Sequence, residues 1–204
     1  MLTKILENNA HLYARDTGYH TAGGTYPDRV RKTFDKDLPK IRHGRILDWG
    51  CSIGQTTIEL ATLYPDSTIV GIDINPRNLC LSDESISNAR QGFDRLGDHV
   101  IKCSGREYKM PAGFILGDGF RPPFPDNTFN AVFCMNNLYY MHLHRTNEHI
   151  RIRLPQIADI VKPGGYLLVS GNTNYIVLRK MNGTLRQHRI SDKLCSLKHY
   201  ERLF

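Results

Sequence analysis

At 204 residues and 40% hydrophobic content, the chain has enough apolar material for one complete core and is close to the usual length of a single domain. Its five cysteines, at 51, 80, 103, 134 and 195, show no CxxC spacing and no paired Cys/His motif, which argues against a zinc-stabilised domain and for reduced thiols in a cytoplasmic protein. The formal charge of +7 is uneven: residues 171–204 hold seven basic residues (Arg179, Lys180, Arg186, Arg189, Lys193, Lys198, Arg202) against Asp192 and Glu201, a net +5.

Residues 1–42 read as an N-terminal helical and lid segment around "DTGYHTAGGTYP", whose glycines and proline oppose any regular element. No apolar run has the length of a membrane span, and Lys4, Glu7, Asn8 and Asn9 interrupt the first stretch before a secretory core can form. After Thr25 and Pro27, the spacing of Val30, Phe34, Leu38 and Ile41 predicts a helix.

From residue 45 short apolar runs alternate with helical stretches, the pattern of βαβ units and a parallel sheet. "RILDWG" is the first predicted strand and "IGQTTIELATLY" the helix after it, followed by "STIVGID" as the second strand. Asn75 and Pro76 suit the start of a further helix carrying Leu79, Ile86, Ala89 and Phe93 on one face. "GFILGD", "NAVFCM" and "YLLVSG" are the next strands, with "RPPFPDNT" as a turn-rich connection. A helix near 146–161, with Ile150, Leu154, Ile157 and Val161 at helical intervals, ends at "VKPGG". Residues 91–112 fit no strong pattern and are treated as an insertion.

The chemistry starts in "RILDWGCSIGQTT". A glycine-bearing turn between strand and helix brings backbone N–H groups and the positive helix end to a ligand. Gly50 and Gly54 with Ser52 between them, and Gln55 following, do not make G-x-G-x-x-G. Asp48, two residues before the first glycine, would repel a dinucleotide pyrophosphate and suits a ligand with a cationic end. S-adenosylmethionine, with its α-ammonium and sulfonium, is such a ligand. Asp73 closes the second strand where a doubly wound fold presents an acid to ribose hydroxyls, and Asp118 in "GDG" follows the third where an adenine amino group needs an acceptor. Each acid taken alone is more often an ordinary helix cap or turn former; three at successive strand ends form a constellation.

"ILDWGCSIGQTT", "VGIDINP", "FILGDGFRPPFPDNTFNAVFCMNNLYY" and "IADIVKPGGYLLVSG" resemble, in order, the motifs of class I S-adenosylmethionine-dependent methyltransferases, particularly the small-molecule type related to quinone-biosynthesis methyltransferases. The resemblance runs from about 44 to 171. It implies an α/β, Rossmann-like, doubly wound and mostly parallel sheet with helices on both faces, in a methyltransferase domain spanning 43–204 with a short basic C-terminal segment. It further implies Asp48, Gly50, Cys51, Ser52 and Gly54 around the methionine part of the cofactor, Asp73 and Ile74 at the ribose and adenine, Asp118 and Gly119 at the adenine edge, and Met135 and Asn136 near the sulfonium. Ser52 stands where the family most often has glycine, and Asn130 where it usually has aspartate.

Such sheets have seven strands closed by a hairpin, whereas 34 residues follow Ser170 here. "NYIVLRKM" and "SDKLCSLKHYERLF" read as helices, the second with Ile190, Leu194 and Leu197 on one face; the competing reading is a hairpin over 175–190 around Asn182-Gly183. With helices the last two strands are missing and the fifth strand lies at an exposed edge, which invites a homodimer. Tyr19, His20, Tyr26, Tyr139 and Tyr140 are the substrate-side candidates, with simple packing as the alternative. His142, His144 and His149 are not read as a metal site, so no metal is expected, and no residue is singled out as a catalytic base. Methyl transfer to a small molecule is the favoured reading. The alternatives are an RNA methyltransferase using the basic C-terminal segment and a non-catalytic, cofactor-binding partner subunit.

Overall fold

The computed structural model describes residues 29–52, 54–74, 93–96, 100–103, 106–109, 112–119, 121–135, 156–170 and 175–190. Helix α1 (Arg29–Phe34) runs into a 3-10 turn (Asp35–Asp37), and β1 (Arg45–Trp49) is followed by α2 (Gln55–Leu63) and β2 (Thr68–Asp73). Then come β3 (Phe93–Leu96), β4 (Val100–Cys103), β5 (Arg106–Lys109), β6 (Ala112–Leu116) and β7 (Phe129–Met135). Residues 156–160 are helical and lead directly into β8 (Val161–Ser170), β9 (Tyr175–Met181) and β10 (Thr184–Ile190). Among the described residues no helix is long and apolar enough to cross a membrane.

Seven strands form one sheet in the order β10-β9-β8-β7-β1-β2-β6. The five from β8 to β6 are mutually parallel, and β9 and β10 complete the sheet in antiparallel pairing. β1 has β2 on one side and β7 on the other, so the strand order reverses there. In an open α/β sheet that reversal opens a crevice beyond the carboxyl ends of the strands. The inner strands are buried on both faces, as parallel strands covered by helices must be. On one face Ile46, Phe133 and Val177 pack with Val30 and Phe34 of α1 and Leu60 and Ala61 of α2. On the other, Leu47, Trp49, Val132 and Leu178 pack with Ile157 and Ile160.

Three sequence expectations change. The stretch 175–190 is the hairpin, not a helix, so the last two strands are present. Asn182 and Gly183, at φ 50° and 79°, form its two-residue loop, with Met181 opposite Thr184. Both loop positions are left-handed, the geometry Asn-Gly adopts most readily between antiparallel strands. Ile176 and Leu178 enter one core and Val177 the other. An amphipathic surface helix has no use for three consecutive apolar residues, whereas a strand covered on both faces buries each for roughly 1.5–3 kcal/mol. Consequently β8 is paired on both sides, and the argument for a homodimer through its exposed edge lapses.

The stretch expected to be an unpatterned insertion contains a separate three-stranded antiparallel sheet, β3-β4-β5. Its strands of four residues are too short to show a period in the sequence. Val161 belongs to β8 rather than to the preceding helix, and "KPGG" is a bulge inside that strand: Phe129 faces Val161, but Ala131 already faces Tyr166. Gly164 supplies the left-handed φ of 76° that the bulge needs.

Phe93, expected on the apolar face of the helix predicted from Asn75, instead opens β3 and pairs with Cys103; residues 75–92 of that helix, the first ten residues of the helix near 146–161, and 191–204 lie outside the described residues. The first predicted helix is confirmed in part. Val30 and Phe34 are buried as expected, but the helix gives way to the 3-10 turn after Phe34, and Leu38 is extended.

Lys180 shows how the hairpin is anchored. It projects from β9 on the same face as Ile176 and Leu178, where its ammonium donates to the carbonyls of Ala158 (2.9 Å), Asp159 (3.2 Å) and Val161 (2.8 Å) and to Asn127 Oδ1 (3.1 Å). Those carbonyls end the 156–160 helix, whose orphan acceptors and negative dipole end favour a cation. A second tie joins the hairpin to the start of the domain: Tyr175 donates its hydroxyl to Asp37 Oδ2 at 2.6 Å, and Arg189 lies 3.6 Å from the same carboxylate.

Candidate active site

Asp48, Gly50, Cys51, Ser52, Gly54, Asp73, Ile74, Asp118, Gly119 and Met135 all fall at the carboxyl ends of β1, β2, β6 and β7 or in the turns just beyond them. The structure thus gathers these predicted residues along one edge, at the strand-order reversal. Asn136, Tyr19, His20, Tyr26, Tyr139 and Tyr140 lie outside the described residues, as do His142, His144 and His149.

The turn between β1 and α2 is built from left-handed residues: Gly50 at φ 73°, Ser52 at 50° and Gly54 at 82°. The N–H groups of Gly50 and Cys51 both bond the carbonyl of Ile72, at 2.8 and 3.0 Å, which folds the turn over the end of β2. Ser52 donates its N–H to Asp73 Oδ2 at 2.8 Å. Asp73 therefore braces the turn in addition to any part it takes with a ribose. One such bond does not exhaust a carboxylate, which can accept at both oxygens. That φ is one glycine adopts freely; serine there carries a backbone cost of roughly 1–2 kcal/mol. Gly54 caps α2 without a side-chain hydrogen bond, and the helix has no acid in its own first turn.

Asp48 is 1% exposed. Its Oδ2 accepts a 2.6 Å hydrogen bond from Thr57 Oγ1, and among the described residues that is the one donor to the carboxyl. Burial, opposed by the Thr57 hydrogen bond and assisted by the neighbouring charge of Asp73, pushes its pKa up to about 7 against an ordinary value near 3.8. Burial likewise holds the Cys51 thiol far above its usual range, with Asp48 and Asp73 adding to the effect. Cys51 is thus a packed apolar group and no nucleophile. Cys134 is buried in the same apolar way.

Thr57 was not among the predicted residues, although a signal was available. Thr57, Leu60, Ala61 and Tyr64 are one buried stripe of α2 at helical spacing, with a hydroxyl at its head. Gly71, inside β2, leaves no periodic mark in the sequence. A Cβ there would lie 2.9 Å from each of Cys51 Sγ, Phe114 Cδ1 and Thr57 Oγ1, so the absence of a side chain makes room for the Thr57 hydroxyl.

Beyond β6, Gly119 lies directly against the indole of Trp49, and a Cβ at 119 would overlap the ring. Trp49 is itself fully buried, so the "GDG" turn is seated on a rigid aromatic floor. Asp118 is half-buried, and its carbonyl accepts the N–H of Arg121 at 2.9 Å. Met135 is held at the end of β7 by Ser170, whose Oγ donates to the thioether at 3.3 Å. Asn130, the other departure from the family pattern, lies at the opposite end of β7, where its Oδ1 accepts the N–H of Arg45 at 3.0 Å and lies 3.5 Å from Lys162 Nζ. It joins strands and takes no part in the carboxyl-end cluster.

A family model described as a methyltransferase domain matches residues 47–169, from the middle of β1 to the end of β8. The O-methyltransferase cnsE of Penicillium expansum is 28% identical over 83% of this chain and 53% of its own length. The ubiquinone/menaquinone biosynthesis C-methyltransferase UbiE of Azotobacter vinelandii is 30% identical over 72% of this chain and 49% of its own. The chain thus spans about half the length of these two relatives. Among solved structures, a Methanococcus maripaludis protein provisionally classed as an S-adenosyl-L-methionine-dependent methyltransferase shares the fold, with a TM-score of 0.51 at 18% identity over 83% of this chain and 64% of that one.

Proposed function

From the premise that this chain belongs to the class I S-adenosylmethionine-dependent methyltransferase family, we propose that it transfers a methyl group to a small-molecule acceptor by in-line displacement. The observation that carries the reading is Asp48: a buried carboxyl with one donor among the described residues, under a left-handed turn at the strand-order reversal. The residues present fit the cofactor. Asp48 suits its ammonium, the uncapped start of α2 and the turn N–H groups suit its carboxylate, and Asp73 and Asp118 suit the ribose and adenine.

When bound, the cofactor supplies an electrophilic methyl group on a sulfonium. The work of this chain is to hold it, to exclude water and to fix the approach of the acceptor, and well-oriented proximity is worth about 7–11 kcal/mol of barrier. Cys51, Ser52 and Gly54 line the turn, Ile74 and Gly119 flank the adenine, and Met135 with Asn136 lies toward the sulfonium. Tyr139 and Tyr140 after β7, and Tyr19, His20 and Tyr26 in the segment 1–42, complete the acceptor side. In this reading the start of the segment 1–42 is an entry segment, and α1, which shares a core with β1 and α2, belongs with 43–204 to the cofactor-binding domain of a cytoplasmic enzyme. The names of the relatives divide between oxygen and carbon acceptors, so the proposal stops at a small molecule.

Of the basic residues that motivated an RNA substrate, Lys180, Arg179 and Arg189 bond within the chain. Arg179 donates from Nε to the carbonyl of Gly164 at 3.3 Å and lies over the Tyr166 ring. This removes part of the surface an RNA backbone would use. Calorimetric titration with S-adenosylhomocysteine tests the cofactor assignment: wild type should bind at micromolar strength, and Asp73→Ala should lose about 1.5–3 kcal/mol. An absence of binding by the wild type would overturn it. Transfer of a labelled methyl group from S-adenosylmethionine to small molecules of a cell extract separates an enzyme from a non-catalytic cofactor-binding subunit.

A further inference from the structure

We propose that Thr57 is a positioning residue of the cofactor turn: by taking one oxygen of Asp48 it favours the carboxylate form and leaves the other oxygen as acceptor for the cofactor's ammonium, so that cofactor affinity is coupled to a proton on Asp48. The inference rests on the methyltransferase reading above and adds a residue and a linkage to it.

Geometry carries the argument. Thr57 is fully buried in the first turn of α2, and its hydroxyl has the short 2.6 Å contact to Asp48 Oδ2. The contact requires Gly71 opposite, since a side chain there would displace the Thr57 hydroxyl or the Cys51 sulfur. Three elements therefore converge on one hydrogen bond: β1 brings the acid, α2 the hydroxyl, and β2 the gap. A buried carboxyl with one donor is poorly provided for as an anion. A cationic ligand end supplies what is missing.

The surrounding groups set the direction of the coupling. Burial and the carboxylates of Asp73, at the end of β2, and Glu59, on α2, oppose ionisation of Asp48; the Thr57 hydroxyl and Arg29, on α1, favour it. The Cys51 thiol in the turn stays neutral. With a pKa near 7, Asp48 of the free protein is largely protonated below neutrality and must lose that proton to receive an ammonium. Affinity then rises with pH, by up to tenfold per unit below the midpoint, and levels off above it.

The test is calorimetric titration of S-adenosylhomocysteine from pH 6 to 8.5 into wild type, Thr57→Val and Thr57→Ser, in two buffers of different ionisation enthalpy to count protons. Features of the ligand's own titration are common to the three proteins and cancel between them. Wild type should release close to one proton per ligand at pH 6 and almost none at pH 8.5. The valine variant should bind at least tenfold more weakly at pH 7 with its midpoint moved upward, and the serine variant should restore both. Thermal unfolding of each free protein identifies a variant that has merely lost its fold; if valine fails there, the serine variant and the wild-type proton count decide. Proton release that does not change with pH, a valine variant with wild-type affinity and midpoint, or a serine variant as impaired as valine would each overturn the inference and leave the methyltransferase reading intact. Failure of wild type to bind at any pH would overturn both.

Discussion

Lys180 and Asp48 are 7% and 1% exposed, and both are ionisable, yet the molecule treats them in opposite ways. The ammonium of Lys180 is shared over four oxygens, three of them carbonyls at the end of a helix, while the carboxyl of Asp48 has the Thr57 hydroxyl as its one donor among the described residues. A charge so well provided for belongs to the architecture. A charge left short of partners, under a turn built from left-handed residues, belongs to the site. Hydrogen-bond satisfaction therefore separates the two roles where burial alone does not.

The largest effect should come from Lys180→Met, which removes the ammonium from the carbonyls of Ala158 and Val161 and from Asn127 Oδ1, while the Asp159 carbonyl keeps the Asn127 N–H. A loss of about 3 kcal/mol is expected, seen as a Tm lower by roughly 6–12 °C, with S-adenosylhomocysteine binding by the folded fraction unchanged. A neutral outcome would erase the contrast.

Asp48→Asn should act in the other direction. The folded protein keeps a proton on Asp48 between pH about 4 and about 7 that the unfolded chain has released, so stability of the free protein falls as pH rises through that window and is level above it. The asparagine variant should lose this dependence and be more stable at pH 8 by about 2 kcal/mol, while binding the cofactor at least tenfold more weakly. Urea unfolding across pH, read beside calorimetry, checks both halves.

Tyr175→Phe should cost about 1 kcal/mol by removing the hydroxyl bond to Asp37, without moving cofactor affinity. Arg189→Ala should cost less than about 0.5 kcal/mol, because the arginine side chain of that pair is 63% exposed. Ser52→Gly sharpens the comparison from the side of the site: relief of a φ of 50° should raise stability by about 0.5–1 kcal/mol, measurable as a higher urea midpoint.

The parts legible in the sequence are those whose cause is local. β1, β2, β6 and β7 were read from apolar runs, and the turn after β1 from its glycines, because strand burial and left-handed backbone leave marks on the residues themselves. Asp73 was placed correctly at the end of β2, but its bond to the Ser52 N–H depends on how the turn folds back, which no spacing reveals. The hairpin was the competing reading of 175–190. "IVL" fits a helix or a strand until both faces are known to be covered, and the Asn182-Gly183 loop was the stronger signal. Lys180 was counted with a basic tail because its acceptors, in residues 127 and 158–161, are remote in the chain.

The Tyr175–Asp37 bond joins residues 138 apart in the chain. Helix α1 leads into Asp37, and its Phe34 ring packs edge-on against the Tyr175 ring at 5.1 Å between centroids. The same Phe34 ring meets Phe133 of β7 edge-on at 5.9 Å, so Tyr175 completes an enclosure that β7 and α2 have already begun. Closing so long a loop costs more entropy than pairing β9 to β10, so the Tyr175–Asp37 bond depends on α1 being held in place by its nearer contacts with α2 and β7.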